Sequence, residues 1–346
     1  MTHDIAIVGY GYWGPNLLRT FVNIPGCTVR YCCDLRTEAL QEVKRRFPYI
    51  LTTTDFNEII SDPNIDAVVL ATPTESHFAL AEKAINSGKD VLIEKPMTCN
   101  SEEAWQLVAL AEKNKRILMV DHILLFNPAV LKIKELIDSG EIGEILYIDS
   151  TRTNLGLFQK DINVIFDLAS HEFSILQFIL GDMPKVVSVT GKSHVNKQID
   201  VAYITAEYPK NILAHVHITW LSPLKLRRML IVGSKKMIVY DDNDPSEKVK
   251  VYDKGVIKEK SHRDQKQIKI GYRVGDIWSP HIEIADPLML LAQSFIDAIV
   301  TRRVVRSDGK FSAEIIEILE SATNFFNKHS LSSIKTKENL NDRKQR

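Results

Sequence analysis

Three groups of residues have the types and spacings to do chemistry. Gly9-x-Gly11-x-x-Gly14 follows a short apolar run, Ile5 to Val8, and leads into a segment that can be helical. Lys95 stands in Glu94-Lys95-Pro96, at the end of a second strand-like run, Lys89 to Ile93. Asp167-x-x-x-His171 lies between Val164-Ile-Phe166 and Phe173-Ser-Ile-Leu176, both strongly apolar. Glycines ahead of a helix open its N-terminal N–H groups to an anion. An ammonium at a strand end stabilises negative charge developing on an oxygen. An imidazole titrates near neutrality and suits proton transfer. A spacing of four puts Asp167 and His171 on one helical face, and two ionisable groups on a buried helix need a reason. An ordinary i,i+4 pair and a surface lysine before a proline are the plain alternatives.

The glycine stretch carries the most detail. Gly9 allows a tight turn, Gly11 lets the backbone approach a pyrophosphate, and Gly14 lets the helix pack on its strand. Pro15 suits the first helical turn. Tyr10, Tyr12 and Trp13 fill the positions between the glycines. The next run, Cys27 to Cys33, ends at Asp34, about 20 residues past Gly14, where an acid meets a ribose 2′-OH. That favours NAD over NADP. Arg36 cuts the other way, because it can pair with a 2′-phosphate. Thr72, Pro73 and His77, after the run Asp66 to Ala71, line the cofactor by position, as does Glu94. Asn127 precedes Pro128 at a helix entrance, so capping is its first explanation and nicotinamide contact its second. Arg152 and Asn154 end a strand and suit a substrate anion or hydroxyl, with a solvent-facing edge arginine as the alternative.

These groups need elements to hold them. The chain has 346 residues, 45% apolar and 25% charged, with zero formal net charge. Neither nucleic acid nor a membrane surface is favoured, and the expected location is cytoplasmic. The sequence enters its first strand at once, with no leader pattern, and no apolar run is long enough to span a bilayer. Four cysteines without paired spacing read as buried reduced thiols, and no metal is expected. Strands alternate with helices up to Asp121, which means a doubly wound parallel sheet. Within it Thr37, Asp55 and Ser101 are the expected helix caps. Beyond Pro128 to Ser139 the signal turns β-rich: 145–153, 185–193, 202–208, 212–220, 226–232 and 237–240. One strong helix, 164–180, interrupts them. The fold class is therefore α/β, an N-terminal Rossmann sheet plus a C-terminal α+β domain with a large, mostly antiparallel open sheet. The expected domains are 1–122 for the dinucleotide, 123–334 for substrate and oligomerisation, and a frayed polar tail at 335–346. An open sheet face calls for a partner subunit, so a homodimer or homotetramer is expected. His215 and His217 share one strand face and read as sheet residues. Tyr272, Arg273 and Asp276 fall in a long irregular segment.

The glycine fingerprint, Glu94-Lys95-Pro96 and Asp167-x-x-x-His171, in that order, resemble the Gfo/Idh/MocA family over nearly the whole chain. The resemblance implies a Rossmann domain followed by an α/β domain with an open sheet used in oligomers. It also implies oxidation or reduction of sugar and cyclitol carbons with NAD(H) or NADP(H). Lys95, Asp167 and His171 then become the catalytic group and the contacts to the reacting sugar carbon. Gly11-Tyr-Trp-Gly-Pro-Asn16, Ser150-Thr-Arg-Thr-Asn-Leu-Gly156 and Gly275-Asp-Ile-Trp-Ser-Pro280 look like the branch acting on nucleotide-linked sugars at C3. The run Val164-Ile-Phe166, where some relatives carry a tryptophan, departs from the pattern. So does Ala169-Ser170, where others have proline or glycine. Inositol or polyol dehydrogenase, 3-keto nucleotide-sugar reductase and a non-catalytic NAD(H) sensor are the alternatives.

Overall fold

The computed structural model describes residues 2–156, 158, 162–260 and 268–344, with 257–260, 268–270 and 329–344 described by backbone alone. The polypeptide forms two compact units, Met1–Asn127 with Ile284–Glu317, and Pro128–Glu283 with Ile318–Arg346.

The first unit opens with β1 (His3–Val8), α1 (Gly14–Val22), β2 (Cys27–Cys33), α2 (Thr37–Arg46), β3 (Leu51–Thr53) and α3 (Phe56–Ser61). It continues through β4 (Ala67–Leu70), α4 (His77–Asn86), β5 (Asp90–Glu94), α5 (Ser101–Asn114) and β6 (Leu118–Asp121). The six strands pair in parallel in the order β3-β2-β1-β4-β5-β6. The order reverses at β1, which places the glycine turn at the switch point where such sheets bind ligands. Ile5 to Val8 and Ala67 to Leu70 are buried along their whole length, because helices cover both faces of a parallel sheet. Asp55 caps α3 by accepting the Asn57 N–H. Two other caps differ from expectation by one residue. Thr37 is the first residue of α2 and Arg36 its cap position, and Asn100, not Ser101, caps α5 through the Glu103 N–H. Adjacent polar residues at a helix start compete for one role, and backbone angles choose between them.

The second unit contains α6 (Pro128–Asp138), β7 (Ile145–Leu155), α7 (Ser170–Leu180), β8 (Lys185–Lys192), β9 (Val201–Tyr208) and β10 (Ile212–Thr219). Then follow β11 (Leu221–Gly233), β12 (Met237–Asp241), β13 (Val249–Lys260) and β14 (Ile268–Trp278). They form one eight-stranded sheet, β14-β13-β12-β11-β7-β10-β9-β8, antiparallel except where β10 meets β7. Alternation is clear: Ala202, Ile204 and Ala206 face in on β9, as do Ala214, Val216 and Ile218 on β10. The outward face carries Tyr203, which stacks on His217 at 4.3 Å and His215 at 6.1 Å. His215 Nδ1 lies 3.2 Å from Asp149. These two histidines are sheet residues. Residues 249–260 and 268–278 form two long paired strands, so Tyr272, Arg273 and Asp276 lie on β14 rather than in an irregular segment. Their charged and glycine-containing alternation masked a solvent-facing antiparallel strand pair.

The chain closes with α8 (Pro287–Thr301) and α9 (Gly309–Lys344). α9 carries the backbone of the expected frayed tail as far as Lys344. Residues 345 and 346 lie outside the described residues. α8 belongs to the first unit, where Phe295 meets Phe21 edge-on at 6.3 Å, both fully buried. Arg302 clamps buried Asp90 through two hydrogen bonds of 2.8 and 2.7 Å. The linear partition after 122 differs from this grouping in 284–317, because a helix's own periodicity does not say which sheet it packs on. Cys32 and Cys33 are buried, Cys27 is half-buried, and Cys99 is exposed, contrary to the expectation for all four. No described helix is long and apolar enough to cross a membrane. No group of three or more His, Cys, Asp or Glu among the described residues could hold a metal ion.

Candidate active site

In the first unit, steric facts define the glycine turn. Gly9 has φ +96°, and a Cβ there would stand 2.5 Å from Ala71 O. On Gly14 it would stand 2.2 Å from Gly9 O. Gly11 has nothing within 4 Å of its Cβ position, which leaves open ground beside the N-terminus of α1. A closed turn, an open middle glycine and a helix start fit a dinucleotide's phosphates. Tyr12 is 82% exposed, Trp13 is half-buried beneath it, and the Tyr10 ring points into the core.

Asp34 stands where an NAD ribose acceptor should, and its carboxylate is fully engaged. Oδ2 accepts the Tyr10 N–H at 2.7 Å and Arg36 Nη2 at 3.1 Å. Oδ1 accepts the Arg36 N–H at 2.8 Å and Nε at 3.0 Å. Burial pushes Asp34 up, but these bonds outweigh it and hold the carboxyl below the usual carboxylate range. Two oxygens offer about four lone-pair positions. Arg36 Nε and Nη2 take two of these positions, and the Arg36 side chain is 60% exposed.

His77 is not an open cofactor contact. It is 1% exposed, with Nδ1 3.0 Å from Pro96 O and Nε2 2.8 Å from Thr72 O. It ties the loop after β4 to Glu94-Lys95-Pro96 and so helps fix Lys95 at the C-terminal end of β5. The Lys95–Pro96 bond is cis. Ser76 Oγ donates to Thr72 Oγ1 at 2.8 Å beside Pro73. Asn127 is buried at the end of this stretch. Asp121 and His122, which sequence reasoning passed over, are both 2% exposed at the end of β6.

In the second unit, the helix expected over 164–180 begins with a π turn, Ile165–Ala169, before α7. Asn163 Oδ1 starts it by accepting the Ile165 and Phe166 N–H groups at 2.9 and 3.1 Å. Asp167 sits in the middle of the widened turn, and such turns concentrate at functional sites. Asp167 Oδ2 accepts the Trp220 indole N–H at 2.9 Å. Trp220 is fully buried, packed against Phe158 at 5.4 Å, and a Cβ on Gly156 would meet its ring at 2.5 Å. Asp167 and His171 are half-buried, while Phe166, Ala169, Ser170, Glu172 and Phe173 around them are buried. The π turn and the first turn of α7 therefore present a carboxylate and an imidazole from an otherwise sunken segment.

Arg152 has a different job from the one its sequence position suggested. β7 is a central strand of the sheet, and Arg152 is 5% exposed. Its Nε donates to Glu172, which also accepts from Ser150 Oγ. This buried ion pair fastens α7 to the sheet beneath His171. Asn154, two residues on, is half-exposed. Trp220, Asn163 and Glu172 are the supporting residues that sequence reasoning missed. Asn163 lies four residues before Asp167, the same helical spacing as His171, whereas Trp220 and Glu172 lie at no such spacing.

A family model described as "Oxidoreductase family, NAD-binding Rossmann fold" matches residues 3–122, and one described as "GFO/IDH/MocA C-terminal domain" matches 130–239. Among curated relatives, the 1-carboxy-3-chloro-3,4-dihydroxycyclo hexa-1,5-diene dehydrogenase of Comamonas testosteroni is 29% identical over 58% of this chain and 53% of its own. The scyllo-inositol 2-dehydrogenase (NAD(+)) of Bacillus subtilis (strain 168) is 30% identical over 56% of this chain and 59% of its own. The chain thus spans a little over half the length of these two. Among solved structures, UDP-N-acetylglucosamine 3-dehydrogenase GnnA from Acidithiobacillus ferrooxidans superimposes with TM-score 0.77 at 22% identity, covering 94% of this chain and 98% of that one. At that identity the likeness concerns the fold. The two family matches together span both sheets, and the chain belongs to the Gfo/Idh/MocA family of oxidoreductases, with an NAD-binding Rossmann domain as its first unit.

Proposed function

We propose that the protein is an NAD-dependent dehydrogenase acting on a secondary alcohol of a sugar, with a nucleotide-linked sugar oxidised at C3 as the favoured substrate. The observation that carries the reading is the half-exposed Asp167–His171 pair, the acid on a π turn and the imidazole in the first turn of α7, with the carboxylate fixed by the Trp220 N–H. Oxidising an alcohol removes a hydride and a proton. Bound NAD supplies the hydride acceptor. His171 takes the hydroxyl proton as general base. The Lys95 ammonium hydrogen-bonds the same oxygen and stabilises its alkoxide character. Asp167, fixed by Trp220, orients the imidazole or holds a neighbouring hydroxyl. Asn154 is a further candidate contact to the sugar.

The nucleotide-sugar preference rests on Gly11 to Asn16, Ser150 to Gly156 and Gly275 to Pro280. The relative from Bacillus subtilis supports a second reading, an inositol-type polyol dehydrogenase. Self-association as a dimer or tetramer through the outward sheet face is part of the proposal. Tyr147, Tyr203 and Leu213 are exposed there, and sedimentation tests it. The functional test is a panel of UDP- and dTDP-sugars and inositols, read at 340 nm (the NADH band). Turnover with a nucleotide sugar supports the first reading, and turnover with inositol alone moves it to the second. NADH binding without turnover on any of them would leave a nucleotide sensor.

A further inference from the structure

Asp200 ends the loop of 193–200 that joins β8 to β9, and its side chain closes that loop. Oδ2 accepts the His194 and Val195 N–H groups at 2.6 and 2.9 Å, and Oδ1 lies 2.8 Å from His194 Nδ1. Asp200 is fully buried, whereas the His194 side chain is 56% exposed and residues 192–197 face solvent. A carboxylate leaves water only where other donors replace it. Two backbone donors and an imidazole do so here, and they anchor an exposed loop to the interior.

The backbone beside that anchor holds two supports of Asp167. Asp200 O accepts the Trp220 N–H and the Thr219 hydroxyl, each at 3.0 Å. Ile199 O accepts the Val164 N–H at 3.0 Å, one residue before the π turn. The Trp220 indole then donates to the Asp167 carboxylate at 2.9 Å. We propose that Asp200 is a positioning residue for Asp167. Its side chain fixes the end of the 193–200 loop, that backbone fixes Trp220, and the Trp220 indole N–H sets where the Asp167 carboxylate stands. This rests on the reading of Asp167 and His171 as the reacting pair.

The experiment is a double-mutant cycle on the full chain, with Asp200→Ala and Trp220→Phe made alone and together. Each protein is read for kcat on the sugar panel, for NADH binding and for tryptophan emission. Asp200→Ala should lower kcat about five- to tenfold, the size of one misaligned hydrogen bond. Its NADH dissociation constant should stay within about twofold of wild type, because the change is confined to turnover. In the Trp220→Phe background the same substitution should cost less than about twofold, because the indole that carries the effect has gone. Asp200→Asn, whose amide oxygen still accepts both backbone N–H groups, should recover most of kcat. The Trp220 emission without substrate, taken as the difference from the Trp220→Phe protein, should move to longer wavelength in Asp200→Ala. His194→Ala is the milder second variant should Asp200→Ala not fold. It removes one contact to the carboxylate and should show the same non-additivity with a loss of about threefold. A loss of equal size in both backgrounds, or an unchanged Trp220 emission, would overturn the proposal. A wild type that turns over no sugar, while the emission still shifts, would overturn the dehydrogenase reading and support the link from Asp200 to Trp220.

Discussion

The two units build their chemistry in different ways. In the first, function is prepared by backbone: a turn closed by Gly9 and Gly14, a helix start, and strand ends that deliver Asp34, Lys95 and Asp121 to one edge of a parallel sheet. In the second, it is prepared by side chains from distant parts of the sequence. Asn163 starts the π turn, Trp220 holds Asp167, and the Arg152–Glu172 pair fastens α7 to the sheet. The difference teaches where damage should be felt. Perturbing the glycine turn should change cofactor affinity. Perturbing the supports of Asp167 and His171 should change turnover or stability and leave cofactor affinity alone.

The largest expected effect breaks the second unit's buried pair. Arg152→Ala leaves Glu172 uncompensated and should destabilise the protein by about 3–5 kcal/mol in denaturant titration. A stable variant with only a raised sugar KM would restore the substrate-contact reading. Next, Gly14→Ala forces a Cβ against Gly9 O and should weaken NADH binding at least about a hundredfold, measured by fluorescence. Lys95→Ala and His171→Ala should each lower kcat about a hundredfold. The His171 variant should bind NADH as wild type does, and weakened NADH binding there would blur the distinction between units. Trp220→Phe removes the N–H held by Asp167 and should lower kcat about tenfold with cofactor KM unchanged. The smallest effect belongs to Arg36→Ala. It frees Asp34 and removes a 2′-phosphate partner, so the kcat/KM ratio of NAD to NADP should rise about fivefold. An unchanged ratio would mean that Arg36 does not gate the ribose.

What was legible in the sequence follows the same division. The glycine turn is legible because its requirement is steric and local: only glycine fits at positions 9 and 14, and both lie within one short stretch. Asp34 and Lys95 are legible because strand ends can be counted. The Asp167–His171 spacing was visible, but the π turn beneath it was not. A widened turn depends on Asn163 and on packing against β10, and neither alters the hydrophobic period. Arg152 reads as a surface cation from its neighbours alone. Its burial comes from Glu172, on another element, and from the central place of β7 in the sheet.

The return of 284–317 to the first unit has a consequence for how the chain is made. Asp90 waits for Arg302, Phe21 for Phe295, and the Val120 N–H for Ser307 O. At about 5–20 residues per second, a ribosome needs about ten to thirty seconds to pass from the end of the first segment to the start of the second. During that interval the nascent nucleotide-binding sheet is fully synthesised yet lacks a helix that completes its core.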